Sequence, residues 1–128
     1  MPKTPDQRAV LIVEDDGAIR RLVRLVLERQ LYQVETASDG VEAVLKLGLR
    51  DYDVIILDLM MPNLDGFAFI AKIAASNASL LKRIIVTSAA SPSMIHDRTG
   101  GLPFAVLPKP FDVDALIGLV RDCAAQSV

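Results

Sequence analysis

Short apolar runs alternate along the chain with segments whose apolar residues have helical spacing. The runs AVLIVE, DVIIL, RIIVT and FAVL are rich in Val, Ile and Leu, which is typical of strands buried on both faces of a parallel sheet. DVIIL is the strongest of them, because it is β-branched and ends abruptly in the polar loop DLMMPNLDG. Together with one weaker segment, the pattern predicts strands at about residues 9–14, 33–36, 53–57, 83–87 and 104–107.

A helix is predicted after each strand. The first is the clearest, since from Ala18 onward apolar residues recur every three or four positions and arginines occupy the opposite face. The fourth is the weakest, because the prolines and glycines of SPSMIHDRTGGLP leave room only for a short helix at about residues 93–98. Asp112 is expected to cap the last helix. Five such units predict an α/β fold with a doubly wound parallel sheet, which binds ligands beyond the carboxyl ends of its strands.

The length of 128 residues and the composition favour a single domain, with residues 1–8 as a polar N-terminal tail and residues 9–125 as the domain. No apolar run approaches the roughly eighteen residues of a membrane-spanning helix, and the N-terminus lacks the apolar core of a secretory signal. We therefore expect a cytoplasmic protein with no membrane partner. A net charge of −2 gives no general attraction to nucleic acid, so no direct nucleic-acid partner is expected. Cys123 is expected to be a buried thiol and His96 a solvated side chain.

Polar residues follow four of the predicted strands. They are Glu14, Asp15 and Asp16 after the first strand, Asp58 after the third, Thr87 and Ser88 after the fourth, and Lys109 after the fifth. The carboxyl ends of parallel strands meet at one edge of a sheet, so these side chains should gather there. Clustered carboxylates repel one another unless a cation intervenes, and oxygen ligands without clustered His or Cys favour a hard cation such as Mg²⁺, or Mn²⁺ in its place.

This cluster has the groups that phosphoryl transfer requires. A cation, the Lys109 ammonium and the Thr87 hydroxyl together could hold three oxygens of a phosphoryl group, which leaves Asp58 as the nucleophile that forms an acyl phosphate. Each residue alone has a simpler interpretation. The acidic residues 14–16 are equally consistent with solvated charges at a helix N-terminus. Lys109 alone would usually be a surface lysine, and Thr87 alone a strand-end residue hydrogen-bonded to its own backbone. The coincidence of four strand ends favours the site.

Four motifs, VLIVEDD, DVIILDLMMPNLDG, IIVTSA and LPKPF, occur in an order and spacing that resembles the receiver domains of two-component response regulators, from about residue 8 to residue 124. The likeness extends to stand-alone, chemotaxis-regulator-like members. It implies a flavodoxin-like (βα)5 sheet with strand order 2-1-3-4-5. It also implies a phosphoacceptor signalling switch of a two-component or phosphorelay system, which is no enzyme beyond catalysing its own phosphorylation and dephosphorylation.

The resemblance assigns a metal site and an acceptor. Asp58 is similar to the phosphorylated aspartate of the family. Asp15 corresponds to the direct metal ligand, Glu14 to the carboxylate that reaches the metal through water, and the Met60 backbone carbonyl to the remaining protein ligand. The implied cofactor is Mg²⁺.

The resemblance also assigns the switch. Thr87 corresponds to the hydroxyl that turns toward the phosphoryl group, with Ser88 as a less favoured substitute, and Lys109 corresponds to the lysine that pairs with that group. The Lys109–Pro110 peptide is expected to be cis. The implied donor is a histidine kinase or a histidine phosphotransfer protein. Phosphorylation would then remodel the surface of the fourth helix, fifth strand and fifth helix for an unidentified downstream protein.

The sequence departs from the family pattern in one important place. Val106 replaces a residue that is often aromatic in the family and coupled to the hydroxyl, so output through the fourth helix becomes the favoured hypothesis. Met60 and Ala89, which flank the path of attacking water in the family, carry no polar side chain, so we expect slow loss of phosphate. A phosphate half-life of seconds, measured with a small phosphodonor, would contradict this.

Two alternative functions remain open on sequence grounds. The first is an interaction module with the receiver fold that signals without phosphate. The second is a small phosphatase of the haloacid-dehalogenase kind, although that family has a second aspartate two residues after its nucleophile and position 60 here is Met. Few residues follow the last predicted helix, so we expect either a stand-alone regulator or an excised fragment.

Overall fold

The computed structural model describes residues 4–61 and 64–126. Residues 1–3 of the expected tail, Pro62 and Asn63 of the loop after Asp58, and residues 127–128 lie outside the described residues. The strands of the main sheet are β1 (Ala9–Val13), β2 (Gln33–Ala37), β3 (Val54–Asp58), β4 (Ile84–Ser88) and β5 (Ala105–Pro108). The α-helices are α1 (Gly17–Arg29), α2 (Gly40–Leu49), α3 (Gly66–Ser76), α4 (Pro92–Thr99) and α5 (Val113–Ala124).

The five strands form one parallel sheet in the order β2-β1-β3-β4-β5. The predicted flavodoxin-like fold and its strand order are therefore confirmed. The register places Val13 beside Leu57 and Asp58 beside Thr87, so the ends of β1, β3 and β4 lie at nearly the same level. This alignment puts the polar residues that follow the strands along one edge.

The sheet separates two apolar layers. In β1, Leu11 and Val13 belong to the cluster that contains residues of α2, α3 and α4, whereas Val10 and Ile12 belong to the cluster that contains residues of α1 and α5. All five residues of β1 and of β3 are buried, which explains why those strands read as continuous apolar runs. Each buried Val, Leu or Ile contributes about 1.5–3 kcal/mol relative to exposure.

Short polar side chains cap the helices where they leave this edge of the sheet. Asp112 caps α5 as predicted, by accepting a hydrogen bond from the backbone N–H of Asp114. Asp16, Asp39 and Asp65 cap α1, α2 and α3 in the same way, and Ser91 caps α4. These bonds satisfy backbone donors that a helix start leaves open.

Three local features go beyond the predicted pattern. Met60–Met61 and Leu64–Asp65 pair as a two-residue antiparallel ladder in the loop after Asp58. Short 3-10 helices occur at Pro5–Gln7 and at Ala78–Arg83. Within the described ranges, every helix is too short or too polar to cross a bilayer.

Two predictions about single positions are confirmed. The Lys109–Pro110 peptide is cis. Cys123 is fully buried, and burial raises the pKa of its thiol to about 12.

Candidate functional site

The carboxyl ends of β1, β3 and β5 bring two carboxylates and an ammonium together. Glu14 follows β1, Asp58 is the last residue of β3, and Lys109 follows β5. The Lys109 Nζ atom lies 2.8 Å from Glu14 Oε1 and 3.3 Å from Asp58 Oδ2. Backbone hydrogen bonds between neighbouring strands continue for one residue past the ends of β1 and β5. The Glu14 N–H donates to the Ala37 carbonyl of β2, and the Lys109 N–H donates to the Ser88 carbonyl of β4. The backbone therefore fixes the places from which these side chains reach each other.

Asp58 is held on both of its oxygens. Oδ1 accepts a hydrogen bond of 3.0 Å from the backbone N–H of Met60, while Oδ2 faces Lys109. Only 4% of Asp58 is exposed, and it is the last residue of β3. Met60 thus contributes its backbone to the site, and its side chain is 66% exposed.

A third carboxylate completes an acidic cluster. Glu14, Asp15 and Asp58 each place one oxygen within 4.8 Å of the others. Asp15 is exposed, whereas the other two are buried. Asp16, which the sequence grouped with them, instead accepts hydrogen bonds from the backbone N–H groups of Ala18 and Ile19, so it serves as the cap of α1.

The environment shifts the pKa values of Glu14, Asp58 and Lys109. Burial, and then the neighbouring Asp58 carboxyl, raise the pKa of Glu14 to about 7. Burial would also raise the pKa of Asp58, but Glu14, the Met60 N–H and Lys109 together outweigh it and lower that pKa. Burial would lower the pKa of Lys109, yet the two carboxylates raise it. At neutral pH the site therefore has an ionised Asp58 beside a charged lysine.

The donor set fits a hard divalent cation. Glu14 Oε2 is buried and has no hydrogen-bond partner among the described residues, which is a costly state for a carboxylate oxygen. Three carboxylates at one edge carry more negative charge than the single Lys109 balances. Mg²⁺ or Mn²⁺ prefers oxygen ligands and keeps several waters, which suits a cluster that is open on the Asp15 side.

Thr87 and Ser88 take part in different hydrogen bonds. Thr87 is the register partner of Asp58, and its carbonyl accepts a 3.2 Å hydrogen bond from the Leu59 N–H. Ser88 Oγ accepts a hydrogen bond from the backbone N–H of Ala90. The Ser88 hydroxyl oxygen therefore takes part in the turn after β4, whereas the Thr87 backbone lies directly beside Asp58.

Sequence reasoning missed Arg20. Its Nη1 atom donates to the carbonyl of Glu14 at 2.9 Å and to that of Asp15 at 3.3 Å, so the first turn of α1 holds the backbone that carries both carboxylates. A signal was present, because an arginine in the first helical turn after an acidic pair is within reach of the preceding loop. The sequence did not distinguish Arg20 from the other arginines of α1, because several arginines occur on that helix at helical spacing.

Comparison with known proteins identifies the family and the fold. The profile of the response regulator receiver domain matches residues 10–121. The chain belongs to the response regulator receiver family. This receiver domain is 34% identical over 115 residues to the response regulator ArlR of Staphylococcus aureus, a match that covers 88% of this chain and 50% of ArlR. The chain thus spans about half the length of the curated relatives it matches.

Solved structures are similar over nearly the whole receiver domain. The receiver domain of the Francisella response regulator 1452 aligns with a TM-score of 0.86 and 28% identity, over 95% of this chain and 100% of that one. Response regulator TrrA from Thermotoga maritima, solved in complex with Mg²⁺–BeF, aligns with a TM-score of 0.79 and 28% identity, over 91% of this chain and 99% of that one. Receiver domains bind Mg²⁺ at an acidic pocket, and the cluster of Glu14, Asp15 and Asp58 could hold a metal ion.

Proposed function

We propose that this receiver domain is a phosphoacceptor switch in which Asp58 takes a phosphoryl group from a phosphohistidine. The donor would be a histidine kinase or a histidine phosphotransfer protein, and a Mg²⁺ or Mn²⁺ ion would assist. One observation carries the proposal: a buried, ionised Asp58 lies 3.3 Å from Lys109 in a cluster of three carboxylates.

The chain's own residues would divide the work of transfer. The Met60 N–H fixes Asp58 Oδ1, so the carboxylate cannot rotate freely. An Asp58 oxygen forms the new bond to phosphorus while the bond from phosphorus to the donor nitrogen breaks, and the electron pair of that bond stays on the donor imidazole. Lys109 neutralises charge on the transferred group, and Thr87, beside Asp58 in the sheet, supplies a hydroxyl.

The metal's residues would be Asp15, Glu14 and Asp58, with the Met60 carbonyl as a further ligand. When bound, the cation supplies positive charge that offsets the carboxylates and the phosphoryl oxygens. Glu14, whose Oε2 has no hydrogen-bond partner in the part of the chain that the structure describes, would interact with it through water. The fit is chemical, in that all of these donors are oxygen atoms.

The output of the switch belongs to the same proposal. Phosphorylation would shift the population toward a state in which the surface of α4, β5 and α5 binds a downstream protein, without direct contact to nucleic acid or membrane. A cytoplasmic location is part of this proposal. Loss of phosphate would be slow, because the exposed Met60 and Ala89 offer no polar side chain to attacking water.

Intact-protein mass spectrometry tests the proposal. Wild type incubated with Mg²⁺ and acetyl phosphate should gain the mass of one phosphoryl group, and should not when EDTA is present. Asp58→Asn should remain unmodified. Asp51→Asn, which removes an exposed aspartate before β3, should behave as wild type.

Equal modification of wild type and Asp58→Asn would overturn the assignment of the acceptor, and metal-independent modification would overturn the role of the cation. Steady release of phosphate from added monoesters would instead favour a phosphatase.

A further inference from the structure

The outer side of α2 is an apolar surface that no described residue covers. Val41, Val44, Leu45 and Leu49 are 74%, 50%, 63% and 83% exposed. The two charged residues of α2 point elsewhere, since Lys46 donates to the Thr36 carbonyl and Glu42 accepts from Ser38. A helix that is apolar on nearly all sides is normally buried. Large contiguous apolar patches on a soluble domain commonly mark interaction sites.

A groove between α2 and α3 extends this surface. Its volume is about 470 Å³, and the residues that line it are Gly40, Val41, Val44, Leu45, Asp65, Ala68, Phe69 and Lys72. A second hollow of about 250 Å³ shares Val44, Phe69 and Lys72 with the first and continues along both helices. The groove and the four exposed side chains of α2 are called the α2–α3 face below.

Opposite charges border the apolar centre of this face. Asp65 caps the first turn of α3, and Lys72 lies seven residues later, a rise of roughly 10 Å along the helix. Asp65 Oδ1 accepts from the N–H groups of Phe67 and Ala68. In the described part of the chain, neither Asp65 nor Lys72 forms an ion pair. The face therefore has an unpaired carboxylate toward one end and an unpaired ammonium toward the other.

We propose that the α2–α3 face binds the same face of a second copy of this chain. A two-fold axis through the groove reverses its ends, so that Asp65 of each copy would lie near Lys72 of the other. The apolar rows are also complementary to themselves. Val41, Leu45 and Leu49 form a ridge at four-residue spacing, and Gly48 leaves a gap beside it with nothing within 4 Å of its Cβ position. One surface thus supplies both the ridge and the furrow, as well as both charges.

The dimer is expected to be weak. Stable interfaces bury about 800 Å² per partner, and a face built on two short helices falls at or below that size. We expect a dissociation constant on the order of 10–100 µM. Salt should weaken the association, because the charge pairs lie at the rim of the interface. The α2–α3 face lies on the sheet side opposite to α1 and α5, and it includes none of the carboxylates of the acidic cluster. Dimerisation should therefore not require phosphorylation.

Sedimentation equilibrium from about 10 µM to about 1 mM tests this proposal. Wild type should pass from monomer to dimer within this range. Leu45→Glu should weaken association at least tenfold. Leu25→Glu, which places the same charge on a leucine of α1 that is 52% exposed, should associate as wild type does.

Two further variants sharpen the result. Lys72→Glu faces Asp65 of the other copy with a like charge, so it should also weaken association, and more so at low salt. Asp58→Asn should dimerise normally, which separates this outcome from that of the phosphorylation experiment. A wild type that stays monomeric throughout, or equal effects of Leu45→Glu and Leu25→Glu, would overturn the proposal, and the first result would assign the face to a different protein.

Discussion

Lys109 is the residue on which the electrostatics of the site depend. Its ammonium contacts Glu14 and Asp58 together, and its side chain is 20% exposed, compared with 5% and 6% for the two carboxylates. Removing the Lys109 ammonium leaves the buried carboxylates of Glu14 and Asp58 without the positive charge that balances them. The site should therefore be more sensitive to the loss of Lys109 than to the loss of any surface lysine.

Lys109→Gln should lower the free energy of unfolding of the metal-free protein by about 1–3 kcal/mol. Mg²⁺ should recover more stability in this variant than in wild type, because it would no longer compete with the ammonium. Urea unfolding with EDTA and with Mg²⁺ measures both effects. Lys82→Gln, at an exposed position, should change stability by less than about 0.5 kcal/mol. Equal stability of the two variants would show that the Lys109 contacts contribute little.

Glu14 gives the metal-free protein a pH dependence of defined sign. Its pKa in the folded protein is about 7, above the value of 4.5 for an unperturbed glutamate, mainly because of burial. A raised pKa adds stability that is complete below about pH 4.5 and is lost as the pH rises through about 7. Asp58, with a pKa below 3.8, and Lys109, with one above 10.5, keep their charges between pH 5 and pH 8.

In EDTA, wild type should therefore lose stability relative to Glu14→Gln between about pH 5 and pH 8. Urea unfolding of both proteins at several pH values in this window gives the difference directly. The raised pKa of Glu14 would be contradicted if the difference in free energy of unfolding between the two proteins stayed constant, or if it shifted in favour of wild type as the pH rises.

Among the elements, α3 closely approaches the backbone next to Asp58 at Gly66. A Cβ added to Gly66 would lie 2.8 Å from Leu59 Cα and 2.5 Å from Leu59 Cδ2. Leu59 directly follows Asp58, so α3 packs against the backbone that carries the proposed acceptor. Only glycine permits this approach at position 66.

Gly66→Ala should destabilise the fold by about 1–3 kcal/mol and slow phosphorylation, because the backbone around Leu59 must move. Gly118→Ala is the matched control, since the nearest atom to its added Cβ is Arg121 Nη2 at 3.8 Å. In the interior of α5 that change should stabilise by about 0.5–1 kcal/mol. The thermal stabilities of the two variants should therefore move in opposite directions, and only Gly66→Ala should slow phosphorylation. Parallel behaviour of the two variants would rule out the close contact as the cause.

Helix α4 has few anchors of its own. Ile95 is fully buried, and the Arg98 guanidinium lies 3.7 Å from the centre of the Phe67 ring on α3. Val106 of β5 packs against the same apolar cluster as Ile95, and its aliphatic side chain has no ring to rotate. A change at Thr87 would then reach the surface through packing of α4 itself.

Hydrogen exchange tests this route. Beryllofluoride with Mg²⁺, a mimic of the acyl phosphate, should change protection within residues 88–103 and leave α1 unchanged. Identical protection of residues 88–103 in the two states would contradict output through α4.

At the scale of the whole molecule, local sequence signals predicted most of the fold. The continuous apolar runs of β1 and β3 reflect burial on both faces, so pattern and structure agree there. The 95-residue separation of Glu14 and Lys109 is different, because only the strand order brings them together. That order came from the resemblance and not from periodicity. The Met60–Met61 ladder was missed because two residues are too few to show a period.

The exposed side chains of the α2–α3 face could not be predicted from the sequence either. The leucines and valines of α2 predict a helix, but helical spacing alone does not reveal that four of them point outward. Their exposure depends on how α2 and α3 sit on the sheet. Equally, the Arg20 contacts depend on the path of the backbone between β1 and α1.

Mapping the modified residue tests the central claim most directly. After treatment with Mg²⁺ and acetyl phosphate, borohydride reduces an aspartyl phosphate to homoserine, which tandem mass spectrometry locates by its mass within a peptide. The account predicts homoserine at position 58 and unmodified residues at positions 15, 16 and 65. Homoserine at any of those other positions, or none at position 58, would contradict it.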